Sequence, residues 1–279
     1  MAFYAWKKTK GMDIKMKIGF IGLGNMATAM IGGIIGKGLY GCNEITGSAK
    51  TAETAKRVSE KYDIETFTNN KKVAECADVI VLAVKPIFLP EVIAEIKDIV
   101  NERKLVISIA AGKSIEWLEG QFGKSLRLVR CMPNTPALVG EACTCVCLKD
   151  DTTNTDRELV MKLMESFGKA SVLPERLIDA FTGVAGSSPA YVFLFLEAMA
   201  DAAVCAGIPR AQAYEFAAQS VLGSAKLMLE TGMHPAQLKD MVCSPGGTTI
   251  EAVKVLEDKG FRAAVMGAID ACVNKSKML

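Results

Sequence analysis

Short apolar runs alternate with helix-like patterns along the first part of the chain. Strands that alternate with amphipathic helices are typical of βαβ units, and so of a parallel sheet with helices on both faces. The strand-like runs are KIGFIG, EITGS, DVIVLAV, LVISIA, 127–131 and 142–148, and the helical patterns lie at 25–38, 51–62, 89–100 and 114–121.

The pattern changes after Pro174, where strand signals stop. We therefore predict an α/β protein with an N-terminal Rossmann-type dinucleotide-binding domain at 16–172 and an all-α dimerisation and substrate domain at 173–279. The helical patterns of the second part lie at 177–183, 188–206, 210–231, 236–242, 249–259 and 261–277.

One helical pattern of the second part, 189–206, is apolar on nearly every side, with only Glu197 and Asp201 charged. Such a helix has to be covered all round. We predict that it packs against its copy in a homodimer; burial inside one large helical domain is the alternative. The longest uncharged stretch, 180–196, is short and interrupted by glycine and proline, so we expect no membrane segment.

A glycine-rich turn follows the first predicted strand and opens a helix. This context is the one that a dinucleotide fingerprint requires. Gly22 would permit the tight turn, Gly24 would let the backbone approach a pyrophosphate, and Ala27 would keep the helix close to the strand. The candidate cofactor contacts here are Ile21, Gly22, Leu23, Gly24, Asn25 and Met26.

The second predicted strand ends in Ser48-Ala49-Lys50, without the carboxylate that binds the ribose hydroxyls of NAD. A hydroxyl and an ammonium could bind a 2′-phosphate, so the sequence favours NADPH, with NADH as the other cofactor. The alternative is that Lys50 is only a solvated lysine.

Two later strands end in residues that could also contact the cofactor, because ligands of open α/β sheets bind at the carboxyl ends of strands. One strand ends at Lys85-Pro86 and the other at Ala110-Ala111-Gly112. An ordinary exit from strand to loop fits the second segment equally well.

The segment CSPGGTTIE, 243–251, is a Pro-Gly-Gly loop that runs directly into a helix. Thr248 and Glu251 have the spacing of a capping box, which predicts Thr248 as the N-cap. Thr249 would then present a free hydroxyl beside unpaired N–H groups, at the positive end of the helix dipole. This arrangement suits a substrate carboxylate, although an ordinary capped helix is the alternative.

The composition of the chain indicates which kind of binding partner to expect. The chain has 279 residues and a formal net charge of +2, from 33 basic and 31 acidic residues without long single-sign runs. Nothing in this distribution predicts nucleic-acid binding, so a small metabolite is the expected partner. The first residues, 1–15, lack the features of a signal peptide, and we interpret them as a leader or the product of an upstream start site.

Nine cysteines without a CxxC pair fit a cytoplasmic protein. Cys143, Cys145 and Cys147 alternate along a predicted strand and should share one face; we interpret them as small buried apolar residues and predict no metal. The single histidine, His234, precedes a proline in a predicted turn and is interpreted as structural. A dehydrogenase with a histidine acid–base is therefore disfavoured.

Five motifs together resemble the pyrroline-5-carboxylate reductase family. The fingerprint is generic, whereas the last motif is specific to that family, and the resemblance runs from about residue 16 to residue 275. The motifs are the fingerprint at 21–27, AVKP at 83–86, MPNTP at 132–136, GSSPAY at 186–191 and KDMVCSPGGTTIEAV at 239–253.

The resemblance implies reduction of 1-pyrroline-5-carboxylate to L-proline by a homo-oligomer built from dimers. It implies that Thr249 is the catalytic hydroxyl, which hydrogen-bonds the ring nitrogen. The implied cofactor contacts are Gly22, Gly24, Asn25, Met26, Ser48, Asn70, Ala83, Val84, Lys85, Pro86, Ala110 and Ala111, and the implied substrate contacts are Glu175, Ser244, Gly247, Thr248 and Thr249.

Two positions depart from parts of the family, and two other functions stay open. Ala185 replaces a serine and Met241 an asparagine, which puts polar substrate contacts there in doubt. The chain could reduce another cyclic imine acid, or it could be a non-enzymatic sensor of NADP(H). A sensor would have no need of the carboxylate-binding loop.

Overall fold

A computed structural model describes residues 16–278, and the leader predicted at 1–15 lies outside the described residues. The chain divides into two compact units, one up to Glu175 and one from Arg176 onward. This division falls just beyond the predicted boundary at Val172.

The N-terminal unit is built on one eight-stranded sheet with the order β3-β2-β1-β4-β5-β6-β7-β8. Neighbouring strands are parallel except β6 and β7, which are antiparallel. The strands are β1 (Ile18–Ile21), β2 (Ile45–Ser48), β3 (Glu65–Phe67), β4 (Val79–Leu82), β5 (Leu105–Ser108), β6 (Arg127–Met132), β7 (Ala142–Cys147) and β8 (Gly168–Val172).

Six α-helices accompany these strands in the described part of the unit. The central strands β1, β4 and β5 are buried along their whole length, as expected for a parallel sheet covered on both faces. The helices are α1 (Asn25–Gly36), α2 (Ala52–Tyr62), α3 (Asn70–Cys76), α4 (Leu89–Ile96), α5 (Ile115–Phe122) and α6 (Asn154–Glu165).

The chain reverses direction across the sheet between β1 and β4. It proceeds outward from β1 to β2 and β3, and then returns to the other side of β1 to form β4, β5 and β6. Ligands of such sheets bind in the crevice at the carboxyl ends of the strands that flank this reversal.

The C-terminal unit is entirely helical in its described residues. A π-helical segment, Thr182–Gly186, joins its first two helices and packs against the last one, where a side chain at Gly183 would lie 2.9 Å from Val273 Cγ2. The helices are α7 (Ile178–Phe181), α8 (Ser188–Cys205), α9 (Arg210–Thr231), α10 (Pro235–Val242), α11 (Thr248–Asp258) and α12 (Phe261–Ser276).

Helix α8 leaves most of its apolar surface uncovered within the single chain. Only Ala200 is buried, whereas Phe193 and Leu194 are 66% and 69% exposed. The helical run Glu175–Cys205 contains an 18-residue window with a mean hydropathy of 1.4 and is long and apolar enough to cross a membrane, although no membrane segment was expected there. A helix that a second subunit covers has the same composition.

Candidate active site

The turn between β1 and α1 requires glycine at its first position. Gly22 has a φ of 98°, and a Cβ on it would lie 2.7 Å from the carbonyl oxygen of Ala83. Its N–H donates to the carbonyl oxygen of Ser48 at 2.9 Å, which holds the turn against the end of β2. The turn is therefore fixed between the ends of β2 and β4.

Gly24 is the N-cap of α1 and brings no side chain to cap the helix. A Cβ added to it would meet no atom of the described residues within 4 Å, so open space lies above this end of the helix. Because the N–H groups of a helix's first turn have no partners within the helix, they can bind a pyrophosphate. Ala27, only 1% exposed, packs into the core as the fingerprint predicts.

A cavity of about 500 Å³ lies beside this turn. Nine predicted cofactor residues line it: Gly22, Leu23, Gly24, Ser48, Lys50, Asn70, Ala83, Val84 and Lys85. The other six do not line it: Ile21, Asn25, Met26, Pro86, Ala110 and Ala111. Ile21 is fully buried, and the contacts of these six with a cofactor stay predictions.

The predicted N-cap of α11 is wrong. The helix begins at Thr248, and Gly247 is the N-cap, with an extended backbone of φ −82° and ψ 169°. A Cβ on Gly247 would lie 2.4 Å from the Ser244 hydroxyl and 3.1 Å from its carbonyl oxygen, so the turn leaves little room for a side chain at the N-cap. Thr248 is thus the first helical residue and forms no capping pair with Glu251.

With Gly247 as the N-cap, the start of α11 is more open than predicted. No side chain caps the helix among the described residues, because its N-cap is a glycine. Ser244, Gly247, Thr248 and Thr249 lie together in one tight turn, closed by a 3.0 Å hydrogen bond from the Gly247 N–H to the Ser244 carbonyl oxygen. The turn combines hydroxyl groups with free N–H groups at the positive end of a helix, which suits a carboxylate.

Comparison with known proteins places both units in known families. Residues 17–112 match the family of coenzyme F420-dependent NADP oxidoreductases, and residues 175–279 match the pyrroline-5-carboxylate reductase dimerisation family. The chain is 49% identical over 266 residues to pyrroline-5-carboxylate reductase of Escherichia coli K12, covering 95% of this chain and 99% of that protein. The chain belongs to the pyrroline-5-carboxylate reductase family.

More distant members agree in sequence and in structure. The Methanosarcina acetivorans reductase is 42% identical, over 94% of this chain and 97% of its own length. The Coxiella burnetii reductase structure, 37% identical, has a TM-score of 0.88 over 94% of this chain and 98% of that one. The Plasmodium falciparum reductase, solved with NADP bound, is 33% identical with a TM-score of 0.85, over 96% and 99% of the two chains.

Membership confirms the predicted family and the α/β fold class with its helical second domain. It also confirms that the protein is an enzyme, namely an NAD(P)H-dependent oxidoreductase of proline biosynthesis. The helical unit belongs to a family of dimerisation domains, which fits the uncovered surface of α8.

The sequence did not reveal several other residues that line the cavity of the N-terminal unit. Phe88 follows the AVKP motif, and the Lys50 ammonium lies over its ring, 5.0 Å from the centroid. Arg57 lines the cavity from α2 and adds a third cation to Lys50 and Lys85. The sequence did carry a signal for Arg57. The helix α2 begins directly after Lys50, so the first turns of this helix lie close to the end of β2.

Two carboxylates also line this cavity. Ser48-Ala49-Lys50 brings no acid to the end of β2, but Glu91 and Glu95 reach the cavity from α4. The cavity therefore carries charges of both signs, so the absence of an acid after β2 does not by itself decide between the two cofactors.

Glu175, a predicted substrate residue, is held by two hydrogen bonds within the N-terminal unit. Its Oε1 accepts from Arg130 Nη1 at 2.8 Å and from the Ile115 N–H at 2.9 Å. Arg130 is only 5% exposed, and its Nε has no partner among the described residues. The pair fixes Glu175 beside β6 and the start of α5, and its contact with substrate stays a prediction.

The cysteines and the histidine take structural positions. Cys145 and Cys147 are buried with their Sγ atoms 3.6 Å apart, but Cys143 is exposed, contrary to the prediction of three buried thiols. Cys143 lies near the start of β7, beyond the last residue pair of β6 and β7, which joins Met132 and Cys145. His234 is the N-cap of α10, and its Nδ1 accepts from the Ala236 N–H at 3.2 Å.

Metal binding finds no support in the described residues. No group of three or more histidine, cysteine, aspartate or glutamate side chains there has a geometry that could hold a metal ion. Among the predicted residues, nine line the cavity of the N-terminal unit, and Ser244, Gly247, Thr248 and Thr249 lie at the start of α11.

Proposed function

We propose that the protein reduces 1-pyrroline-5-carboxylate to L-proline, and that the turn at the start of α11 binds the substrate. The observation that carries the proposal is the uncapped N-terminus of α11 with Thr249 in its first turn. A substrate with a carboxylate and a ring nitrogen suits this combination of N–H groups and hydroxyls.

The cofactor fits the cavity of the N-terminal unit. Gly22 and Gly24 keep the backbone open at the start of α1, whose free N–H groups suit a pyrophosphate. Lys50 and Arg57 suit a 2′-phosphate, and Ser48 and Asn70 suit the ribose. When bound, the nicotinamide supplies a hydride to the C=N bond of the substrate.

The chain's own residues mainly bind and orient the substrate. The N–H groups of Thr248 and Thr249 bind the carboxylate, aided by the helix dipole. The Thr249 hydroxyl hydrogen-bonds the ring nitrogen and holds the proton that the product amine requires. An imine is readily protonated, so the reaction needs no histidine acid–base, and positioning accounts for most of the catalysis.

The proposal extends to assembly and location. The uncovered surface of α8 supports a homodimer through the helical unit, and we extend this to a larger homo-oligomer built from dimers. The free cysteines support a cytoplasmic enzyme. We assign the apolar run Glu175–Cys205 to the subunit interface and not to a membrane.

The test is the loss of NADPH absorbance when 1-pyrroline-5-carboxylate is added to the purified protein. We expect rapid oxidation of NADPH and measurable oxidation of NADH. Run in parallel, 1-piperideine-6-carboxylate and oxo acids would reveal a different substrate preference. Binding of NADPH without turnover of any imine would contradict the proposal and favour a sensor.

A further inference from the structure

A single aromatic side chain lines the cavity of the N-terminal unit. Among the described residues of the lining, Phe88 is the only aromatic one, and it is 39% exposed. It ends a short 3₁₀ turn, Pro86–Phe88, that follows the end of β4. The Phe88 N–H donates to the Lys85 carbonyl oxygen at 2.9 Å, which closes the turn and fixes the backbone that carries the ring.

The lining of the cavity indicates which half of a dinucleotide it would hold. It comes from the turn after β1, from the ends of β2 and β4, from the loop after β3, and from α2, α3 and α4. The segment after β5, with the predicted cofactor contacts Ala110 and Ala111, does not line it. With the pyrophosphate at the start of α1, the adenosine half of the cofactor would lie on the β2 side, in this cavity.

The adenine base is the aromatic group of that half. Every base has a flat π-face, and aromatic side chains bind such faces by stacking. Phe88 offers an exposed ring in the cavity where the adenosine half would lie. Stacking would also remove apolar surface of the ring and of the base from water, which favours binding.

The Lys50 ammonium lies over the Phe88 ring in the structure. Its Nζ is 5.0 Å from the ring centroid, which is the geometry of a cation–π contact. A base in van der Waals contact with the ring would lie about 3.5–4.0 Å from it. The base and the ammonium therefore cannot both occupy this position, and Lys50 has to move aside when a base stacks there.

We infer that Phe88 is the stacking platform for the adenine of the cofactor, and that the base displaces Lys50 from the ring. The inference rests on the proposed placement of the cofactor in this cavity. Once displaced, the ammonium is free to pair with a phosphate of the cofactor. Because NADPH and NADH carry the same base, Phe88 contributes to the binding of both and does not distinguish between them.

The test measures binding of adenosine 2′,5′-bisphosphate, which carries the base but no nicotinamide, to the full-length protein by isothermal titration calorimetry. We expect Phe88→Ala to weaken its binding roughly three- to thirtyfold. The loss of stacking is offset in part, because the free variant no longer has a cation–π contact that the base must break. Phe88→Tyr keeps a π-face and should bind like the wild type.

Ile87→Ala is the matched control. Ile87 lies in the same 3₁₀ turn and is 79% exposed, but it does not line the cavity, so this variant should bind like the wild type. Equal losses for Ile87→Ala and Phe88→Ala would overturn the inference, since loosening of the turn would then explain both. Wild-type affinity in Phe88→Leu would also overturn it, because an apolar wall without a π-face would then suffice.

Lys50→Ala tests the displacement without altering Phe88. It uncovers the ring, so adenosine, which carries no charge, should bind about two- to fivefold more tightly than to the wild type. Unchanged or weaker binding of adenosine would contradict the displacement. A wild type that does not bind adenosine 2′,5′-bisphosphate would overturn the proposed cofactor site itself, whereas equal binding by the wild type and Phe88→Ala would overturn only the role of Phe88.

Discussion

Thr249 is the residue on which the proposed chemistry depends most. Replacing it with alanine removes the hydroxyl but leaves the N–H groups of the α11 turn. We expect Thr249→Ala to lower kcat roughly ten- to a thousandfold, the range for a lost transition-state hydrogen bond. Steady-state kinetics with 1-pyrroline-5-carboxylate provide the measurement.

Thr249→Ser is the conservative control, since it keeps a hydroxyl at the same position. It should retain most of the activity, and NADPH binding should be unchanged in both variants. A Thr249→Ala enzyme with wild-type kcat would remove this hydroxyl from the mechanism.

Arg57 gives a second prediction at the scale of single residues. Its side chain lines the same cavity as Lys50, and its guanidinium suits a 2′-phosphate that NADH lacks. We expect Arg57→Ala to weaken NADPH binding about tenfold, a modest effect for a charge-assisted hydrogen bond because the side chain is exposed. NADH binding should change little.

The neighbouring Lys56 is the matched control for Arg57. It lies outside the cavity lining and pairs with Glu60 on the exposed face of α2, Nζ to Oε1 3.7 Å. Lys56→Ala removes the same charge from the same helix. Equal losses of NADPH affinity in the two variants would point to long-range charge and away from a direct contact.

Local sequence patterns predicted the glycines and hydroxyls of the site, but not the side chains that distant segments of the chain contribute to it. Gly22, Gly24 and Thr249 follow a strand or open a helix, so their setting is readable from neighbouring residues. Glu95 reaches the cavity only because α3 and α4 pack together and bring it beside Asn70. Such contacts depend on tertiary packing, which single-sequence patterns do not encode.

At the scale of elements, most buried strands and most long helices were predictable, and the short polar elements were not. The predicted range 210–231 coincides with α9, and the buried runs predicted β1, β4 and β5. The sequence pattern missed β3, α3, β8 and the longer helix α6. The three short elements have few buried side chains to impose a period: β3 and β8 have none, and α3 has only two.

One ion pair ties β6 to the start of α6. Arg127 donates to both carboxylate oxygens of Asp156, with Nε 3.0 Å from Oδ2 and Nη2 close to Oδ1. The Asp156 side chain is 2% exposed and that of Arg127 33%. Burial raises the pKa of Asp156, but hydrogen bonds from Arg127 and Thr153 outweigh it and hold the pKa below its usual value.

We expect Asp156→Asn to lower the free energy of unfolding at pH 7 by about 1–3 kcal/mol. Because the folded-state pKa is depressed, the stabilisation is complete above the unfolded pKa of about 4 and is lost as the pH falls below it. The wild type and the variant should therefore converge as the pH is lowered from 5 to 3. Urea unfolding across this range is the measurement.

Exposed Asp150 lies nearby and makes a suitable control. Asp150→Asn should change the unfolding free energy by no more than about 0.5 kcal/mol, as is usual for surface substitutions. A difference between wild type and Asp156→Asn that stays constant with pH would show that ionisation of this carboxyl does not supply the stability.

At the scale of the whole molecule, the two units bury their apolar residues in different ways. The N-terminal unit has a continuous core around β1, with Ile18 and Phe20 completely buried. The helical unit leaves large apolar side chains of α8 and α9 exposed, including Leu194 and Leu229. Large exposed apolar patches mark interaction surfaces, and the family match of this unit identifies the interaction as dimerisation.

The last prediction concerns that surface. Leu194 lies on α8 and is 69% exposed in the single chain, so a charge there costs the monomer little. In a dimer covered along α8 the same charge would be buried without a partner, which is strongly unfavourable. We expect Leu194→Arg to shift the protein from dimers or larger assemblies toward monomers in sedimentation velocity experiments.

Gln121→Arg provides the control, because it introduces the same charge at an exposed polar position of α5 in the N-terminal unit. This variant should keep the wild-type sedimentation coefficient. Leu194→Arg should still bind NADPH, since the cofactor cavity belongs wholly to the N-terminal unit. A Leu194→Arg protein that sediments like the wild type would place the subunit interface away from this part of α8, and the exposed apolar run Glu175–Cys205 would then need another partner.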